Sequence, residues 1–428
     1  MTIDHDTTTD HDGHPTARHI VDTVLAGATL VDGRSVDVHI AGGAIVAVVA
    51  PGSVVAVGAV IHQLEGRLLL PALTEPHAHL DKAFVASTTP NHTGDLDGAI
   101  AAMGAAMNGE WFTFDGLVSR ASAALEMLIG NGVTLVRTHV NVGDGIGASY
   151  VEAVAAARAA YVGVIEVEIV SLTHTPLSGT AGAGNRAALV AALAAGADVV
   201  GACPSLDDDP LSCLAVVFDA AEEAGVAIDL HTDETLDAEM LTLRDMARMV
   251  QRRGFASRVA ASHCVSLSMQ PLEVQRSVAA EVAAAGIAVI PQPQTNLYLQ
   301  GRGLATGVPR GLAPIDVLRD AGVLVAAGGD NVQDPFNPIG RGDPLETAAL
   351  LVLAGHQLPD VAYRMVSNDA REALGRGRIE VRVGDVADLV AMPVGSAREA
   401  IAIAHRDRMV FKAGRLVASS VARTTIHR

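Results

Sequence analysis

Five times along the middle of this 428-residue chain, an alanine-rich stretch is closed by glycine and followed at once by an unbroken run of valine, isoleucine or leucine. The junctions read "MLIGNGVTLVRTHV", "ALAAGADVVGACP", "AAEEAGVAIDLHTDE", "VAAAGIAVIPQP" and "LRDAGVLVAAGGDN". Glycine just past a helix end supplies the left-handed stop, and a continuously apolar strand suits a parallel sheet buried on both faces. The leucine run before His77, "VGVIEVEIVSLTH" and "SRVAASHC" bring the count to about eight strands. Their C-terminal ends fall near His77, His139, His174, Cys203, His231, His263, Pro291 and Asp330. Eight such units predict an α/β fold, a (β/α)8 TIM-like barrel. A doubly wound sheet is the alternative, but no G-x-G-x-x-G follows a first strand.

The two ends of the chain have a different texture. Between residues 20 and 70, short apolar stretches such as "DTVLAGATLV" and "SVDVHIAGGAIVAVVA" are broken by Gly, Asp and Pro, and a similar pattern returns in "RIEVRVGDVADLVAMPV" and "RMVFKAGRLVASS". Residues 20–70 and 377–428 are therefore expected to pair into a small β-sandwich flanking a barrel over 71–376. Residues 1–19 read as a disordered polar leader whose His5, His11, His14 and His19 have nothing to order them. The net charge of -18 argues against nucleic acid or an anionic membrane surface as partner. No targeting segment or uninterrupted membrane span is apparent, and Cys203, Cys213 and Cys264 have no metal-like or disulfide spacing. A cytoplasmic location is the expectation.

In a barrel the working residues gather at the C-terminal strand ends, and here five ends carry His and one carries Asp. In "TEPHAHLDKAF", His77 and His79 are two residues apart and point the same way on a strand, so both can reach one ion. His231 and Asp330 end apolar strands, where a buried carboxylate is costly unless a metal or partner satisfies it. Three imidazoles and a carboxylate suit one divalent metal, zinc or iron(II), with manganese also compatible, and such an ion activates water.

Across nearly its whole length, through "ATLVDG", "EPHAHLDKAF", "VRTHVNV", "IDLHTDE", "VAASHC", "TNLYLQGR", "GGDNVQDPFNPIG" and "VGDVADLV", the chain resembles the amidohydrolase superfamily, and within it the cytosine deaminase-like branch. The resemblance implies a barrel with a flanking β-sandwich, one divalent metal, and attack of a metal-generated hydroxide on a cyclic amidine with release of ammonia. It implies His77, His79, His231 and Asp330 as ligands and Glu234 and His263 as catalytic groups. The residue chemistry agrees. Asp330 can take the proton of the attacking water, Glu234 can protonate a ring nitrogen, and His263 can hydrogen-bond the water. Barrels of this kind commonly assemble, so a homo-oligomer is also implied.

Lysine occurs only at positions 82 and 412, so the fourth strand, "ADVVGACPS", cannot carry the carboxylated lysine by which related ring-opening amidases bridge two metals. A mononuclear aminohydrolase acting on a small heterocycle is the better match. Hydrolysis of N-alkylamines or cyclic amides, or a non-catalytic ligand-binding role, are the alternatives. His174, Gln300 and Asn331 are the candidate substrate contacts. His174 stands where cytosine deaminases carry glutamine, and Asn331 and Asn141 stand where they carry aspartate, which argues against cytosine itself. For His139 a place in the core or behind the ligands is at least as well supported as contact with substrate, and Asp81 and Lys82 are expected at the rim, where they could pair as ions.

Overall fold

The computed structural model describes residues 21–53, 58–107 and 109–427, together with Thr8–Thr9 and Pro15–Thr16, which pair antiparallel. The four leader histidines lie outside the described residues.

Seven strands run parallel in chain order: β1 (Leu73–Ala78), β2 (Val133–Val142), β3 (Glu166–Thr173), β4 (Val199–Ala202), β5 (Ala227–Thr232), β6 (Val259–His263) and β7 (Ala288–Ile290). Parallel neighbours need a crossover, and helices supply it, such as Pro210–Ala224 between β4 and β5 and Thr242–Arg253 between β5 and β6. Gly225 and Gly254 end these two helices at φ 66° and 61°, where a β-carbon would be strained. The Asp209 side chain caps the first by accepting from the Ser212 N–H.

The eighth position is not a continuous strand. Val325 bridges Val289, and Asp330 bridges Ala78, both parallel, so the segment 324–330 closes the barrel between β7 and β1 by two isolated pairings. The reason lies in Gly328 and Gly329. The Gly329 N–H turns to the buried Glu75 carboxylate at 2.9 and 3.0 Å instead of to a neighbouring strand. The assigned strand ends hold to within a residue or two, except that β2 continues past His139 to Val142. His139 is therefore inside a strand and not at its end.

The terminal segments meet in one mixed sheet of eight strands. Its path is Arg415–Ser419, Met409–Lys412, Leu389–Met392, Leu68–Pro71, Thr23–Thr29, Ser35–Ala41 and Ala44–Val49, with Val60–Gln63 parallel to Thr23–Thr29. Alternation along Leu68–Leu70 and Leu389–Met392 divides its side chains between two cores. Leu69, Leu389 and Ala391 join the sheet's own core with Leu25, Val38 and Phe411. Leu68, Leu70, Val390 and Met392 belong to the barrel core. No helix among the described residues is long and apolar enough to cross a membrane.

Candidate active site

The C-terminal ends of the barrel strands surround a cavity of about 310 Å³ lined by His79, Lys82, Asn141, His174, Cys203, His231, Glu234, His263, Thr295, Asp330 and Asn331, with an apolar wall of Leu96, Ile100, Met103, Met107, Leu172 and Phe336. His77 lies beneath it, fully buried. An outer chamber, lined in part by Asp95, Asp97, Gln300 and Arg302, shares His231 and Glu234 with it.

The first two histidines have assigned tautomers. His77 Nδ1 is 2.8 Å from Ser262 Oγ, and that hydroxyl donates to Asp229 Oδ1 at 3.1 Å. Ser262 must therefore accept from His77 Nδ1–H, which leaves Nε2 unprotonated. His79 Nδ1 donates to the His139 carbonyl at 3.0 Å, which bares its Nε2 in the same way. These two nitrogens stand 3.5 and 3.1 Å from Asp330 Oδ1, and His231 Nε2 is 3.2 Å from His79 Nε2. Lone pairs turned toward a carboxylate repel unless a cation lies among them. Ligands about 2.0–2.1 Å from a tetrahedral zinc stand roughly 3.3–3.4 Å apart, and the observed separations bracket that spacing. Among the described residues His77 Nε2, His231 Nδ1 and both Asp330 oxygens have no hydrogen-bond partner. These residues can hold a metal ion.

Burial, reinforced by neighbouring imidazoles, holds His77 and His231 well below the usual histidine range, as a neutral ligand requires. Asp330 has φ 65° and His263 φ 68°, left-handed backbone that few non-glycine residues adopt and that clusters at functional sites.

Glu234 and His263 meet through Asn296, which the sequence analysis did not single out. Its Nδ2 donates to Glu234 Oε1 at 3.0 Å and lies 3.1 Å from His263 Nδ1. Two donor hydrogens on one amide make His263 Nδ1 an acceptor, so Nε2 carries the proton. Burial, and then the charge of Asp330, pushes the Glu234 carboxyl well above the ordinary range.

The remaining sequence-predicted residues divide. His174 lines the cavity with Nε2 3.3 Å from Asn141 Oδ1, and Asn141 in turn donates to Asp81 Oδ2 at 2.6 Å. Asn331 lines it too, but its amide is engaged by Thr295 and Asp334 at 3.3 and 2.7 Å. Gln300 faces the outer chamber, with Nε2 on the Glu234 carbonyl at 3.1 Å, and does not line the inner cavity. His139 stacks on His77, ring centroids 3.9 Å apart, and both of its ring nitrogens lack partners among the described residues. One candidate ligand atom from each of His77, His139 and His231, or of His77, His263 and Asp330, falls within 4.8 Å of the others, so His139 stands directly against the candidate ligands. Asp81 and Lys82 are buried rather than at the rim, and they form no ion pair with each other.

The profile of the Amidohydrolase family matches residues 119–418. The chain is 31% identical over 362 residues to the pterin deaminase of Rhizobium rhizogenes, covering 83% of this chain and 81% of that one. Its fold is similar to that of 5-methylcytosine deaminase from Klebsiella pneumoniae liganded with phosphonocytosine, at a TM-score of 0.84 and 24% identity over 94% of this chain and 100% of that one. It is also similar to N-isopropylammelide isopropylaminohydrolase from Burkholderia multivorans, at a TM-score of 0.79 and 26% identity over 93% and 98% of the two chains. The motifs at the strand ends, the barrel they sit on and a profile match over most of the sequence lead to one conclusion: this chain belongs to the amidohydrolase family.

Proposed function

We propose that this protein is a divalent-metal-dependent aminohydrolase that replaces the amino group of a nitrogen heterocycle by oxygen and releases ammonia. The observation that carries the reading is the approach of two unprotonated histidine nitrogens to the Asp330 carboxylate, at 3.5 and 3.1 Å, beside a buried glutamic acid. His77, His79, His231 and Asp330 would hold the ion, and zinc, iron(II) and manganese all suit that donor set. A bound ion supplies water acidified from a pKa of about 15.7 toward about 7.

The chain's own groups account for the protons. Glu234, kept protonated by burial, donates to the ring nitrogen next to the carbon under attack, which makes that carbon electrophilic. Asn296 holds Oε1 and so fixes the direction of the carboxyl. Asp330 accepts a proton from the attacking water and returns it to the departing amine, while Glu234 recovers its own from the added hydroxyl as the C–N bond breaks. His263 presents Nε2–H, which has no protein partner among the described residues and can donate to the oxygen that adds. The apolar wall of Leu96, Ile100, Met103 and Phe336 fits a flat ring. The likeness to a pterin deaminase supports deamination, and the likeness to an N-isopropylammelide hydrolase supports a second reading in which the leaving group is an alkylamine.

The test is ammonia release by metal-reconstituted protein from cytosine, isocytosine, guanine, pterins, aminotriazines and creatinine. Release from one ring class, abolished by chelator and restored by metal, is the expected result. Alkylamine release from N-alkylaminotriazines without ammonia from any ring moves the assignment to the second reading. Absence of both, with metal bound, overturns the aminohydrolase reading.

A further inference from the structure

The chain has two lysines, and both are largely withdrawn from solvent. Lys412 sits where such a lysine is expected, with Nζ 2.7 Å from Asp388 Oδ2. Lys82 does not. It closes the short turn Leu80–Lys82 that follows His79, is 4% exposed, and lines the inner cavity with Nζ 5.0 Å from the centroid of the Phe336 ring. Among the described residues no carboxylate oxygen lies within 4.0 Å of that ammonium, and it makes no hydrogen bond.

Most of the nearby acid oxygens are turned to other partners, although Asp81 Oδ1 is buried without one and neither it nor Asp330 reaches the ammonium. Asp81 Oδ2 accepts from both the backbone and the side chain of Asn141, at 3.0 and 2.6 Å. Asp334 Oδ2 accepts from Asn331 at 2.7 Å, and its Oδ1 accepts from the Phe336 and Asn337 N–H groups at 2.9 and 3.2 Å. Glu234 Oε1 is held by Asn296. An ammonium that meets only a narrow cavity and no carboxylate is poorly satisfied, and a lysine with only a surface role would turn its flexible end outward. The Phe336 face offsets part of that cost, but it leaves three N–H donors unused. Lys82 lines the same inner cavity as His174 and Glu234, so its charge meets whatever enters there.

We infer that Lys82 is a substrate-recognition residue, and that the heterocycle processed here carries a carboxylate substituent that pairs with Lys82 Nζ. The inference rests on the reading of this cavity as an aminohydrolase site. Pairing with a substrate anion gives the cavity-facing ammonium a carboxylate only in the complex, so the interaction discriminates against neutral analogues that leave it unpaired. A cavity of about 310 Å³ holds a flat ring together with such a substituent.

Equilibrium binding to the metal-reconstituted full chain tests it, with calorimetry on matched pairs: cytosine and 5-carboxycytosine, pterin and pterin-6-carboxylate, an aminotriazine and its carboxylate. At least one carboxylated member is expected to bind tenfold or more tighter than its neutral partner. Lys82→Met should bring that ratio to within about threefold of one, and Lys82→Arg should retain most of it, since a single electrostatic pair in a desolvated site is worth at least tenfold. The inference is overturned if no carboxylated member outbinds its partner in the unmodified protein, or if Lys82→Met keeps the ratio. The first of these arms needs no variant, so a Lys82→Met protein that failed to fold would not shelter the idea. Ammonia release from the same compounds is read separately. Carboxylate-selective binding without ammonia release keeps the Lys82 assignment and removes the deaminase reading, and ammonia release without carboxylate preference does the reverse.

Discussion

Glu234 is where a single side chain decides most. Its position three residues after His231 could be read from "HTDE", but its neighbours could not, because Asn296 arrives from the segment after β7 and His263 from the end of β6. Glu234→Gln preserves size and can still meet the Asn296 amide after a flip, but it cannot donate a proton in the same way. The expected outcome is a fall in kcat of about 10²–10⁴-fold with bound metal per chain unchanged, read by steady-state ammonia release and elemental analysis. Unchanged turnover would take Glu234 out of the mechanism. The histidines and Asp330 proposed as ligands were singled out because they stand at or just past the ends of apolar strands, a place where a polar residue needs a reason. Ser262 and Asp229, which set the tautomer of His77, were hidden inside apolar strands, as serine and aspartate with no spacing to mark them. A lysine usually reaches solvent, and only the fold shows Lys82 withdrawn from it and lining the inner cavity.

Among the elements, the closing segment 324–330 matters most to the site because it carries Asp330 on a pairing too short to be a strand. A β-carbon on Gly328 would lie 2.6 Å from Gln292 Oε1, 2.8 Å from Glu75 Oε1 and 2.9 Å from the His77 β-carbon. All three are buried, so none can swing out of the way. Gly328→Ala is expected to cost about 1–3 kcal/mol and to weaken metal binding by displacing His77, measured as a lower urea midpoint and a shifted metal titration. Gly303→Ala, with open space around the new methyl, serves as the comparison and should stay within about 0.5 kcal/mol. Equal effects of the two substitutions would refute the packing argument. The helix-glycine-strand junctions located β2, β4, β5 and β7, all but β2 with their ends within a residue or two, since period and stop signal are both local. The eighth failed to form a ladder because Glu75, more than two hundred residues away in sequence, takes the Gly329 N–H.

For the whole molecule, the buried titratable groups around the site set how the metal-free protein responds to pH. Burial holds His77, His79, His139, His174, His231 and His263 below the usual histidine value. In the unfolded chain they titrate near 6.5, so below about pH 6.5 the unfolded state binds protons that the folded state refuses, and stability falls as pH drops. Burial pushes Glu75 up to about 8 and Asp334 up to about 7. Those acids ionise in the unfolded chain first, so their contribution is lost as pH rises toward 7 and 8. The six imidazoles outweigh the acids on the low side, and the acids act alone on the high side. Chelator-treated protein should therefore be most stable between about pH 6 and 7. Urea midpoints at pH 5, 6.5 and 8 measure this, and a monotonic trend would refute it. Added divalent metal should raise all three midpoints by mass action. The sequence alone determined the repeating βα unit, the β-rich ends and the polar residues at the strand ends, because helix stops, buried strands and two-residue alternation are all local patterns. Only the tertiary structure decided which hydrogen bonds bare the histidine nitrogens, that Gln300 turns outward, that His139 stacks on His77, and that Lys82 faces the cavity unpaired. Each of those depends on partners brought together from distant strands, and nothing in the spacing along one chain records such a meeting.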